Sequence, residues 1–453
     1  MKNYAGALIV SVAIVVAVIA AAALLAFVLR DSSNRYDEYS FRISMPQKLE
    51  TLPDGVRIVQ VELGDRTLAL DEDGNVWAWG LSELGRLGAG EGIDDQYLPL
   101  NISELENSAL NDVVVKQISA RSQSLALDES GNVWTWGNNW DGQLGTGKSG
   151  EYANEYLPVN ISDAFVSTRI VQVSAGLWFS LALDESGHVW AWGSGEDGRL
   201  GTGNERQQLY PINISTRVNS PLADVEIVQI SAGFSHALAV DEDGNVWAWG
   251  FNDRGQLGTG ERVNRHEDPP GTRAPNHYRP INISNLPESE LEGVKIVQVS
   301  AGAVESFALD EKGNVWAWGS GCNWQLGTGN QVRQYSPINI SNIEDSNLNG
   351  IDIVSVEAGR NTIAIDDGGN VWMWGDSWHS ELGLETVEGD ADLRLPTNVS
   401  AMRDFIFYNV PIAQAQVGWM LLSRDGEIYA WGDARYGRLG IGDISKWAVP
   451  FED

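Results

Sequence analysis

A single cysteine, Cys322, stands in 453 residues. One thiol excludes an internal disulfide and any site built from several thiolates. As a lone thiol it reads as structural rather than nucleophilic. Basic residues are scarce as well: 30 Lys+Arg face 62 Asp+Glu, for a formal charge of -32. Such a chain repels nucleic acid as a whole, and phosphate binding needs a clustered basic patch. No nucleic-acid partner is therefore expected. The five histidines, His188, His236, His266, His277 and His379, show no metal-ligand spacing. Neither G-x-S-x-G nor H-E-x-x-H occurs. No catalytic constellation, metal or cofactor emerges, and a non-enzymatic protein is expected.

Glycine and tryptophan are plentiful, at 49 and 19 residues, and the hydrophobic fraction of 43% is ample for a core. The first thirty residues differ from the rest. Ala5 to Leu29 carries no charge, and a helix crosses a bilayer with about 20 apolar residues. A cleaved export signal, with Ala20 and Ala22 as a small-x-small site, is the rival reading. The length of the run favours a retained transmembrane anchor over 5–29, with 30–57 as a polar linker. The expected localisation is single-pass, with the larger domain outside the cytoplasm.

After the linker one unit recurs. An aromatic pair followed by glycine begins at Trp77, Trp134, Trp190, Trp247, Trp316, Trp372 and Tyr429, with spacings of 57, 56, 57, 69, 56 and 57. A fixed period of this size signals a repeat architecture. In the fourth unit, Ile227-Val-Gln-Ile230, Ala237-Leu-Ala-Val240 and Val246-Trp-Ala-Trp249 are short β-branched or aromatic runs. Gly, Asp and Pro bound them, as expected of strands. Pro280-Ile-Asn-Ile-Ser284 is a fourth. No stretch after residue 30 keeps a capped 3.6-residue period. The expectation is an all-β fold, a seven-bladed β-propeller of four-stranded blades over 58–453, preceded by one N-terminal transmembrane helix.

Closure leaves a trace of its own. The motif proline recurs at Pro99, Pro158, Pro211, Pro280, Pro337 and Pro396, and another stands in Val449-Pro450-Phe451. The C-terminal segment is thus expected to supply the fourth strand of the first blade, removing an open edge.

Ser231-Ala-Gly-Phe-Ser-His236-Ala-Leu238 and Trp249-Gly-Phe-Asn-Asp-Arg-Gly-Gln-Leu-Gly-Thr-Gly260 resemble the repeat of the regulator of chromosome condensation family. The resemblance covers residues 58 to 453 and implies a seven-bladed propeller. Family members include a nucleotide-exchange factor for a small nuclear GTPase and secreted bacterial inhibitors of β-lactamase, so the resemblance implies a fold more firmly than a function. Of the family's histidines only His236 is present.

Two motif matches are declined. Gly142-Gln-Leu-Gly-Thr-Gly-Lys148-Ser149 fits the phosphate-loop pattern, but no helical pattern follows it to present free N–H groups. Asp71-Glu-Asp-Gly-Asn75 and its copies are similar to calcium loops but lack the later glycine and the bidentate Glu, and suit tight hairpin turns.

In an antiparallel meander alternate connections share an end. The loops after the first and third strands therefore gather at one end, and the acidic hairpin turns at the other. Trp140, Trp178, Phe234, Phe251, Trp324, Trp378, Trp419 and Tyr436 fall in loops of the first kind, making a candidate binding face. The long connection between the fourth and fifth units carries Arg262, Arg265, His266, Arg273, His277 and Arg279, a candidate functional insertion. Asn101, Asn160, Asn213, Asn282, Asn339 and Asn398 begin Asn-x-Ser once per repeat, and fit N-glycan acceptors if the domain is exported.

The expected function is a membrane-anchored, extracytoplasmic module binding an unidentified protein or glycan, with the acidic end toward the anchor. The alternative is a cytoplasmic, membrane-tethered regulator resembling the family's exchange factor.

Overall fold

The computed structural model describes residues 42–442 apart from 65, 167, 262–273, 360, 376–392, 403–406 and 417–419. Strands form seven separate four-stranded antiparallel sheets. Blade one comprises Ile58–Leu63, Arg66–Asp71, Val76–Gly80 and Gln96–Asn101. The same order repeats through blade six, which ends with Leu393–Asn398. The first strands are innermost: residues from all seven line one central channel.

The channel-side edges of these strands explain why six of the seven carry a glutamine. Gln60 Nε2 donates to the Ile118 carbonyl (2.7 Å), and its Oε1 accepts the Ile118 N–H (2.9 Å). Gln117, Gln172, Gln229 and Gln298 do the same to Val173, Ile230, Val299 and Val356 of the following blade. Gln414 of blade seven clamps Val61 of blade one, with bonds of 2.9 and 3.0 Å. Each glutamine thus satisfies a backbone pair that the inner edge of a sheet otherwise leaves open. Blade six has Ser355 at this place, too short to reach Ala415.

The aromatic pair divides its labour. The second member, from Trp79 to Trp431, is fully buried between blades. Its indole N–H reaches into the preceding blade, as in Trp192 to the Gln143 carbonyl (2.8 Å) and Trp79 to the Arg438 carbonyl (2.9 Å), the latter joining blades seven and one. The first member is held by the acidic turn. Trp247 Nε1 donates to Asp241 Oδ2 (2.8 Å), while Oδ1 accepts the Asn245 N–H (2.8 Å). The leading aspartate of each such turn is buried and saturated by its own hairpin, which accounts for the calcium-loop likeness without a cation.

Closure differs from the expectation. Blade one already has its fourth strand, Gln96–Asn101, which contains Pro99. Blade seven is Ile412–Gln416, Met420–Ser423 and Ile428–Asp433, and its fourth strand is Arg42–Lys48. Lys48 pairs with Tyr429 and Gln47 with Ala430, the register in which Asn101 pairs with Trp77 and Leu100 with Ala78. Pro46 therefore occupies the motif-proline position, at the outer edge where a missing N–H is tolerated. Leu49 then buries where Ile102 does, and its N–H donates to Ile428 O (2.8 Å), as that of Ile102 does to Val76 O (2.9 Å). The C-terminal segment is not the closing strand of blade one, and 30–57 is not wholly linker. Residues 443–453 lie outside the described residues.

The closing strand also reverses the expected orientation. Arg42 pairs with Asp433, so the chain enters the propeller at the end of the aromatic loops, not at the acidic-turn end. Among the described residues no helix is long and apolar enough to cross a membrane; residues 5–29 lie outside them.

Candidate functional site: the aromatic-loop end and the channel

The loops after the first and third strands share one end, as the parity of the meander requires. There the candidate aromatics separate into distinct roles. Trp140 stands out at 58% exposure, its backbone N–H donating to Asn138 Oδ1 (2.9 Å). Trp178 is 38% exposed. It lies 5.2 Å from the guanidinium of Arg199, which is buried and paired with Asp197 at 3.1 Å. Tyr436 is exposed beside Arg438, at 6.0 Å. Phe234 is half-buried and meets Arg121, two blades away, at 5.5 Å. Phe251 is half-buried. Trp378 and Trp419 lie outside the described residues.

Trp324 belongs to a blade seam. In five other blades the equivalent loop position is a left-handed glycine: Gly85, Gly142, Gly198, Gly255 and Gly437. Four of these glycines sit against a tyrosine of the next blade, as Gly198 does against Tyr278. Blade five has Trp324 there, also left-handed at φ 62. Facing it across the seam is Arg394, 4.6 Å over the ring. A tryptophan–arginine stack thus replaces a glycine–tyrosine contact, with the strain of a non-glycine residue in that region. This ring fills a seam rather than offering itself to a partner.

Between these loops and the channel opens a depression of about 730 Å³. Leu63, Phe234 and Val304 give it apolar walls, and Arg121, Arg254 and Arg438 line it with positive charge. At its base is Glu305, buried, with its carboxylate accepting the N–H groups of Ala303 and Val304 (both 3.2 Å). Burial pushes its pKa above the ordinary carboxylate value. Glu305 takes the place that His236 holds in blade four. His236 Nε2 lies 2.9 Å from Ser306 Oγ, and that hydroxyl donates to the Gln256 carbonyl (2.7 Å). The serine proton is thus committed, so Nε2 carries the imidazole hydrogen; burial lowers the pKa to about 3. The family's histidine is here a neutral inter-blade link.

The channel below holds a cavity of about 250 Å³. Ser119, Ser174, Ser231 and Ser300 each accept an N–H from the next blade, at 2.9–3.0 Å. Glu62 and Glu357 occupy this position in blades one and six. Burial, with the charge of Glu357, raises Glu62 to about 8. Burial raises Glu357 to about 7, and Arg121 opposes both shifts. Neither the glutamine clamps nor this carboxylate pair was among the candidate residues. Their signal was the recurring Gln-x-Ser of the first strand and its two Glu exceptions. Among the described residues no group of three potential metal ligands occurs.

The remaining candidates have local roles. His277 Nε2 lies 2.8 Å from Glu261 Oε2, and Arg279 donates to the Asn219 carbonyl (2.6 Å). Arg262, Arg265, His266 and Arg273 lie outside the described residues. Each Asn of the Asn-x-Ser motifs caps its own turn, as Asn101 Oδ1 accepts the Ser103 N–H (3.1 Å). The serine two residues on is engaged too: Ser103, Ser215, Ser284, Ser341 and Ser400 are buried, Ser162 is half-buried, and each accepts a valine N–H at 2.9–3.0 Å. The phosphate-loop match is irregular chain with no helix after it, and Lys148 pairs with Glu155 (3.2 Å).

Seven closed blades with this repeat define a propeller of the chromosome-condensation-regulator type. The RCC1-like domain model matches residues 30–283 and 106–452, and the chain belongs to that family. It is 32% identical to the Ultraviolet-B receptor UVR8 of Arabidopsis thaliana over 76% of this chain and 70% of that protein. It is 30% identical to the mitochondrial RCC1 domain-containing protein RUG3 of the same plant, over 69% and 64%. With the E3 ubiquitin-protein ligase HERC2 of Homo sapiens it shares 32% identity over 80% of this chain but 7% of that protein. Solved structures of human WBSCR16 and of yeast RCC1 (Prp20) bound to Kap60 share the fold. Their TM-scores are 0.66 and 0.64, at 23% and 24% identity, covering 86% and 83% of this chain and 89% and 80% of theirs. The expected surface localisation is corrected: no described helix can cross a membrane, and one relative is designated mitochondrial. The single-pass, extracytoplasmic placement is set aside.

Proposed function

We propose that this chain is a non-enzymatic regulatory propeller that binds a protein partner at its aromatic-loop end. The observation that carries this reading is the pairing of exposed Trp140 and Trp178 with the 730 Å³ depression at the same end. Rigid aromatic rings bury area at low entropic cost, and arginine beside them adds directional contacts. The mixture of arginines, Glu305 and apolar wall suits a protein surface better than a sugar, which asks for paired polar groups around one ring. The related propeller of yeast RCC1 (Prp20) is described as bound to Kap60 and as having binding properties toward Gsp1p and histones.

The test compares proximity labelling by the full chain with that by Trp140→Ala/Trp178→Ala/Phe234→Ala. Partners lost in this variant but kept by a Leu98→Ser control on the outer edge strand of blade one support the proposal. An unchanged partner set refutes it, and selective retention on a glycan array replaces it with a lectin reading. Release of fluorescent GDP from a small GTPase separates an exchange activity from simple binding.

A further inference from the structure

The opposite end carries a second pattern. Each first strand opens with a bulge, where the ladder skips a residue: Ile58 pairs with Asp71 and Gln60 with Leu70, leaving Val59 unopposed. The equivalent residues are Val171, Val228, Val297 and Val354, and all five valines are 42–53% exposed. They lie on the innermost strands, at the end where the acidic hairpins turn, and so form an apolar collar around that mouth of the channel. The fold does not demand valine here. Blade two makes the same bulge with Lys116 and blade seven with Ala413. A half-exposed β-branched residue with no cross-strand partner contributes little to folding, and repeated apolar exposure marks an interaction surface.

The frame around the collar has a definite charge. The second residue of each acidic turn donates its N–H to the residue preceding the first strand of its own blade: Glu72 to Arg57 (2.9 Å), Glu185 to Arg169 (3.0 Å), Glu242 to Glu226 (3.0 Å), Glu311 to Lys295 (3.0 Å). The backbone of an acidic-turn residue therefore lies beside the start of each of these collar strands. Several nearby cations are engaged within the ring. Arg57 lies 3.6 Å from Glu72, while Arg169 and Arg424 donate to the carbonyls of Glu129 and Asp367. The connections joining blades at this end add Glu104, Glu106, Glu288, Glu290, Glu292 and Glu344.

We propose that this end of the propeller docks a cationic amphipathic segment of a partner protein. Its apolar side rests on the valine collar and its lysines or arginines meet the turn carboxylates. Apolar contact supplies the attraction, and the acidic frame selects the sign of charge and speeds encounter. This site is separate from the aromatic-loop end and stands or falls independently of it.

The test uses calorimetric titration of the full chain, at physiological salt, with an amphipathic lysine–leucine peptide. A lysine–serine peptide of equal charge and a glutamate–leucine peptide are the comparisons. The lysine–leucine peptide is expected to bind at least about tenfold more tightly than either. Val171→Ser/Val228→Ser/Val297→Ser should reduce that binding by about tenfold or more. A lysine triple variant, which copies the Lys116 arrangement, should abolish it with the melting temperature retained. Trp140→Ala should leave it unchanged. Equal binding of the two cationic peptides, or full binding by the serine variant, would show charge alone at work and overturn the proposal. A concentration-dependent dimer abolished by the serine variant would overturn it too, by assigning the collar to a second copy of this chain.

Discussion

Replacing Ser355 with glutamine should mend the one seam that lacks a clamp. At the other six seams a glutamine donates one hydrogen bond and accepts one across the channel edge, with lengths from 2.7 to 3.3 Å. Two such bonds contribute about 1–3 kcal/mol net. Ordering a glutamine side chain costs about 1–2 kcal/mol, so the expected gain is on the order of 1 kcal/mol. The reverse change, Gln229→Ala, strands the Val299 N–H and carbonyl at a half-dry edge and should cost about 1–3 kcal/mol. A domain of this size unfolds with a large entropy, so 1 kcal/mol moves the melting temperature by only about 1–2 °C. Hydrogen exchange is the sharper assay. The Ala415 amide should exchange faster than the Val299 amide in the native protein, and Ser355→Gln should slow it about fivefold for each 1 kcal/mol gained. If Ala415 is already as protected as Val299, or Ser355→Gln leaves its exchange unchanged, the clamp is not what holds adjacent inner strands together.

Deleting Arg42–Lys48 should uncover the outer edge of blade seven, lower the denaturation midpoint and promote aggregation. Asp241→Ala, which strands the Trp247 indole and the Asn245 amide, should destabilise by about 2–3 kcal/mol in a denaturant titration. Glu62 and Glu357 hold protons more tightly folded than unfolded, at about 8 and 7 against an ordinary 4.5. Their effect on stability is complete below the unfolded value and is lost as pH rises through the folded ones. Glu62→Gln should therefore stabilise relative to the native chain at pH 8 and make little difference at pH 4; equal melting curves at both pH values would contradict the burial of this group. Trp140→Ala/Trp178→Ala should weaken partner binding by about 2 kcal/mol or more per ring without shifting the melt.

The blades were legible because each strand is short, bounded and repeated. Seven aromatic pairs at a nearly constant period leave little freedom in the count. The closing strand was misassigned because proline alone was followed. An apolar residue stands three places after each motif proline, Ile102 after Pro99 and Ile283 after Pro280, where it buries beneath the strand. Leu49 follows Pro46 in this way, but Asp453 follows Pro450. The seventh copy could have been recognised by that spacing. Loop parity placed the aromatic end from topology alone. Exposure within it was not legible, because Trp140 and Trp324 occupy similar loops. What separates them is a partner across the seam: Arg394 takes up Trp324, and among the described residues nothing comparable covers Trp140.

Closure by Arg42–Lys48 has a consequence for how the chain is made. This strand leaves the ribosome before every other described strand of the propeller, and its partner, Ile428–Asp433, leaves after them. The two are separated by roughly 390 residues, and closing a loop of that length costs about 5 kcal/mol of chain entropy. During synthesis the amino-terminal strand is an unsatisfied edge. It waits while six blades assemble into an arc whose first and last members lack a neighbour on one side. The ring becomes a single cooperative body at one late moment, when blade seven emerges to find the strand and blade one together. Damage to that last joint leaves six intact sheets in an arc with two sticky ends, able to pair with another chain in the same state.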